Sequence, residues 1–261
     1  MNRKRTVAAV LLILSVFSFF IPSFQLPYID SKSSEYLNDT LKKLTITYAT
    51  VRGLNAAVSV IKDSEMEIAP GGVGATIAVG EVVDPIDDLI ERFSSILLIS
   101  IASVGIQKAV FLAGTNLFFK LIGVFLFLLS LFFIFKKQWL FNLGIKIVAV
   151  AVLLRVMVPV SAFLTDYTYT AFFKESVEKA QSDISEIVEI LKTDNNNSSS
   201  FIGKIKGFNV EEKVSLLKSY SSRLIDGIIV MLTAFIFQTV LLPLFAVWVM
   251  LKSVERIFSY F

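Results

Sequence analysis

The chain has 261 residues, of which 55% are hydrophobic and 24 are Phe, with a mean hydropathy of +0.72 and a net charge of +3. Soluble domains hold about 45–50% apolar residues, so part of this surface calls for lipid, and no Lys/Arg-rich run gives a nucleic-acid footprint. Cysteine and histidine are both absent, which excludes disulfides, Ser-His-Asp and Cys-His nucleophiles, the common zinc sites and His-held haem.

The chain opens on Arg3-Lys4-Arg5 and an apolar run from Val7 to Ile21. A basic flank before a short hydrophobic stretch is a targeting pattern. The run closes on Phe19-Phe20-Ile21-Pro22 without a small-x-small cleavage site, so residues 1–22 read as an uncleaved signal-anchor span with its basic end in the cytoplasm.

Residues 23–92 are mostly too polar to span. Leu37, Leu41, Leu44, Tyr48, Val51, Val58 and Ile61 follow 3/4 spacing and predict an amphipathic helix over 30–62, with Asp30 or Ser31 as its cap. Asn55 interrupts the stripe. Pro70-Gly71-Gly72-Val73-Gly74 lacks the Gly-Lys-Ser/Thr of a phosphate loop and reads as a close-packing turn. Glu81, Asp84, Asp88 and Glu91 fall on one helical face. They are the only weak metal candidates, since a straight face does not wrap an ion. The ordinary reading is a helix start, with Asp84 as N-cap, Pro85 in the first position and acids in the first turn.

Residues 93–164 read as membrane helices. The stretch 93–114 has an apolar core from Ile96 to Ile106 before Gln107-Lys108 and reads as a span or a re-entrant helix. Residues 117–135 and 139–164 are clear spans, separated by Lys136-Lys137, with Trp139 as an interface anchor. Residues 165–223 form a helical hairpin. Phe173, Val177, Ala180, Ile184, Ile187 and Leu191 make a coiled-coil-like seam on its first arm, 194–200 are its tip, and Asn209 with Glu212 caps its second arm. Residues 224–261 hold a last span and a basic tail with Lys252 and Arg256. Counting 93–114 as a span gives five crossings, and leaving it outside gives four with every basic flank in the cytoplasm.

Arg155, Asp226 and Gln238 are the intramembrane polar candidates. The ordinary role for Arg155 is a structural pair with Asp226 or Gln238, and the sharper one is to line a path for a substrate or ion.

The block Asn55 to Ile61, Pro70 to Gly74, Gly80 to Ile86 and Glu91 to Lys108, with Gln238-Thr239-Val240 and Leu242-Pro243-Leu244, resembles a family of uncharacterised bacterial multi-pass inner-membrane proteins. The resemblance implies the bacterial cytoplasmic membrane and carries no assigned activity. The expected fold is all-α and polytopic, with amphipathic helices and a projecting hairpin. The expected function is a non-enzymatic scaffold or assembly subunit, with no cofactor and no nucleic acid, meeting the bilayer and a second copy or partner through 30–62 and 173–224. The alternative is a small channel or transporter component, and the third reading is a metal-dependent membrane enzyme.

Overall fold

A computed structural model describes residues 3–67, 73–193 and 210–258. It is 96% helical, with no strand among the described residues. In chain order α1 is Arg3–Phe20, α2 is Pro27–Glu67, α3 is Val73–Phe135 and α4 is Gln138–Thr168. A π-helical turn, Tyr169–Phe173, runs straight into α5, Lys174–Thr193. Then α6, Val210–Ile236, passes through a second π turn, Phe237–Leu241, into α7, Leu242–Phe258. Among the described residues three helical stretches are long and apolar enough to cross a membrane: Asp84–Phe135, Gln138–Glu186 and Ser221–Arg256. The all-α class with its antiparallel helical arms is therefore as the sequence predicts.

Several predicted boundaries dissolve. The expected break at Asp84-Pro85 is absent, because α3 starts at Val73 and carries Pro85 inside it. Asp84 is thus a mid-helix residue and not an N-cap. A proline in a helix removes one hydrogen bond, which here does not end it. The stretch 93–114 is likewise not a separate helix. It continues without a break into 117–135, since Gln107, Lys108 and Asn116 lower hydropathy without opposing helix formation. The 63 residues of α3 extend about 95 Å at ~1.5 Å each, roughly three hydrocarbon thicknesses. Of the turn predicted at 70–74, Val73 and Gly74 instead begin α3, and the rest lies outside the described residues, as do the tip at 194–200, the Asn209 cap and the side chains of Ile61, Ile187, Leu191 and Glu212.

The chain divides into two compact units. The first holds Met1–Asp39, Val104–Asp166 and Leu241–Phe261, and the second Thr40–Ser103 and Tyr167–Val240. In the first unit α1 lies antiparallel to the end of α3. Ser130 Oγ donates to the Ala8 carbonyl at 2.8 Å, Ser15 Oγ to Gly123 at 2.9 Å and Ser18 Oγ to Phe119 at 2.6 Å. Small residues and hydroxyls at the contact let the two backbones approach closely and bond across it. The register brings the Arg3 end of α1 to the same end as the α3–α4 turn, where Lys136 adopts a positive φ of 53°.

Buried positions on α2 are Ser33, Leu37, Thr40, Leu44, Thr47, Val51, Leu54 and Val58. Their 4-3 spacing is a strict heptad seam. It keeps the predicted Leu37, Leu44, Val51 and Val58, leaves Leu41 and Tyr48 half-buried, and draws in hydroxyls that a hydrophobic stripe does not anticipate. On α3 the same spacing runs Ile86, Ile90, Phe93, Leu97, Ser100, Val104, Gln107 and Phe111. In the second unit α5 and α6 are antiparallel. Ile184 and Ala180 close on Gly227, and Arg223 reaches Asp183 at 2.7 Å and Glu186 at 3.2 Å. The seam formed by Val177, Ala180 and Ile184 is therefore buried within the chain.

The π turns have a physical reason. Along α4 and α5 the buried positions Val158, Ala162, Thr165, Tyr169, Val177, Ala180 and Ile184 keep heptad spacing on either side of 169–173. Across that turn they carry one residue too many. A π turn absorbs a single extra residue and returns the seam to its face.

Candidate functional site: a buried ion pair at Arg155

Among the described residues Arg155 is the one charged side chain in the buried class. Its Nη2 lies 2.7 Å from Oδ1 and 2.8 Å from Oδ2 of Asp30, and its Nε donates to the Phe24 carbonyl at 3.2 Å. The guanidinium also sits over the Phe24 ring, 5.3 Å from its centroid. Arg155 is 3% exposed and Asp30 14%.

Each partner is placed by local chemistry. Pro22 and Pro27 bracket the non-helical segment 21–26. Pro27 takes the first position of α2, where its missing N–H costs nothing. Asp30 stands one turn in and reaches back, accepting the Leu26 N–H at 2.8 Å. It therefore supports the helix start from inside the first turn and is not itself the N-cap. Phe24 is fixed from three sides. Its N–H donates to the Thr115 carbonyl at 3.0 Å, its ring stacks on Phe118 at 4.7 Å, and Phe119 meets it edge-on at 5.4 Å. Gly114 presses directly on the Leu154 carbonyl and the Arg155 Cα, where a Cβ would collide with the backbone. Glycine there lets α3 and α4 approach closely enough to seal the pair.

The chemistry is that of a saturated pair. Both carboxylate oxygens of Asp30 accept from Arg155, and one also accepts from the backbone. A buried pair of this kind is costly to break and close to neutral to replace whole.

The expected partner of Arg155 is thus corrected. It is Asp30, 125 residues away in sequence, and not Asp226 or Gln238. Asp30 lies outside the apolar runs, where its sequence context marks it only as a cap. Asp226 is exposed on α6 and Gln238 is buried in the second π turn. Of the acidic face, Asp84, Asp88 and Glu91 are exposed, Asp88 stands 3.9 Å from Arg92, and the Glu81 side chain lies outside the described residues. Among the described residues no group of three metal-ligating side chains comes together.

A second polar feature lies outside what sequence reasoning anticipates. Pro243 has no N–H to give the carbonyl of Thr239 four residues earlier, and Ser103 Oγ donates to that carbonyl instead, at 2.6 Å. A Pro four residues after a buried Thr, with a Ser on a neighbouring apolar helix, is the only sequence signal for it.

No family model matches this chain, and neither a curated protein nor a solved structure is similar to it.

Proposed function

We propose that the chain is a multi-pass protein of the bacterial cytoplasmic membrane, acting as a non-enzymatic scaffold or assembly subunit that carries a helical body on a membrane anchor. In this reading α1 is a retained signal anchor, packed against α3, with Arg3–Arg5 and Lys136-Lys137 in the cytoplasm. Arg155 stands about 26 Å along α4 from Gln138 at ~1.5 Å per residue, close to the far edge of a hydrocarbon layer about 30 Å thick. The ion pair then sits at the outer membrane boundary and ties α2 to the anchor.

The observation that supports a structural role is the saturation of Arg155 by Asp30 and the Phe24 carbonyl. It leaves no base and no vacant cation at the buried guanidinium. The test is native mass spectrometry and cross-linking after extraction in mild detergent. A defined homo-oligomer or a stoichiometric complex is expected, and a strict monomer under every mild condition would overturn the reading. Ion flux in proteoliposomes that disappears in the Arg155→Met/Asp30→Leu double variant would replace it with a channel.

A further inference from the structure

Thr47 and Ser100 differ from most helical hydroxyls of this chain. Ser33, Thr45, Thr50, Ser95 and Thr239 each donate to the carbonyl four residues earlier. Thr47 Oγ1 and Ser100 Oγ make no hydrogen bond to the protein, although their residues are 2% and 0% exposed. Both occupy seam positions, Thr47 three residues after Leu44 and Ser100 three after Leu97, so both face the bundle interior.

Three contacts within the second unit tie their two helices to the π turns. Lys43 Nζ lies 4.9 Å above the Tyr169 ring, one turn before Thr47. Phe173 meets Phe237 at 5.5 Å. Ser103 bonds to Thr239, one turn after Ser100. Lys108 Nζ donates to Asn38 Oδ1 at 2.8 Å, and in an antiparallel pair that register brings Thr47, nine residues further on, level with Ser100, eight residues back, on the same stretch that Ser103 ties to the π turn holding buried Gln238. Such turns recur where a helix carries a function.

We propose that Thr47 and Ser100, beside the π turn of Gln238, form a buried polar site that holds an ordered water bridging α2 and α3. The guest is neutral, because the site offers it hydroxyls and no buried charge, and the two ionised groups about Tyr169, Lys43 and Glu178, are exposed and of opposite sign. It must both donate and accept, because hydroxyls do both. Buried water of this kind makes about three hydrogen bonds to groups otherwise unsatisfied.

A crystal structure of the full chain that shows solvent should place density within hydrogen-bond distance of Thr47 Oγ1 and Ser100 Oγ. Hydroxyls turned back onto the carbonyls of Lys43 and Ile96, with no density between them, would overturn the proposal. Thermal unfolding gives an independent readout. Thr47→Val and Ser100→Ala should each lower Tm by stranding the guest, and the double variant should recover most of that loss by expelling it. Losses that simply add would sink the idea.

Discussion

At the scale of single residues, the stability of the first unit turns on whether charges are left unpaired. Arg155→Ala strands the Asp30 carboxylate and Asp30→Ala strands the guanidinium, both in buried surroundings. Each single change is expected to cost about 3–5 kcal/mol, whereas Arg155→Met with Asp30→Leu should come close to the parent. Unfolding in detergent, followed by the fluorescence of Trp139 and Trp248, measures this. Single variants as stable as the parent would mean that the pair is not desolvated. Two glycines of α3 give a paired test of packing. Gly114→Ala drives a Cβ into the Leu154 carbonyl and should cost about 1–3 kcal/mol by overpacking. Gly105→Ala meets nothing within 4 Å and should gain up to about 1 kcal/mol from helix propensity. Opposite signs for the two are the expected result, and equal effects would contradict the close approach of α3 to α4.

At the scale of elements, the extra residue in each π turn makes a prediction that a point substitution cannot. Deleting exposed Ala171 from the turn at 169–173 restores unbroken heptad spacing from Tyr169 to Ile184. The deletion variant should stay within about 1 kcal/mol of the parent, since a π turn only accommodates the insertion. Deleting Ser182, equally exposed on α5, instead rotates Ile184 off the seam and away from Gly227, at a cost of about 2–5 kcal/mol as for loss of a buried Ile. Equal melting temperatures for the two deletions would refute the seam. The helices themselves were legible because apolar periodicity is local: α2, the two arms and the long apolar runs all appear where spacing predicts them. Their junctions were not. Pro85 resembles a helix start in sequence, yet the neighbouring turns hold the helix through it. The Arg155–Asp30 pair was equally hidden, because its residues meet only once the 21–26 segment folds back on α3. The seam hydroxyls Thr40, Thr47 and Ser100 escape a search for apolar residues because their burial shows only against neighbouring helices.

At the scale of the whole molecule, the continuity of α3 bears on which side of the membrane each surface faces. Two crossings at 93–114 and 117–135 would need a turn between them, and α3 has none. The five-crossing scheme therefore finds no support in α3. What remains agrees with the charges: α1 antiparallel to α3 gathers Arg3–Arg5 and Lys136-Lys137 at one end, and basic flanks are retained in the cytoplasm. Lys32 and Glu35 stand exposed near the start of α2, beyond the segment that carries Phe24, and so should face the opposite compartment. The chain contains no cysteine, which makes single-cysteine labelling free of background. Lys32→Cys should react with a membrane-impermeant maleimide in intact cells, and Lys137→Cys only after the membrane is opened. Labelling of both sites from one side would overturn the single crossing between them. The reverse pattern would keep the antiparallel packing of α1 on α3 but invert the chain, showing that the basic flanks do not set its orientation.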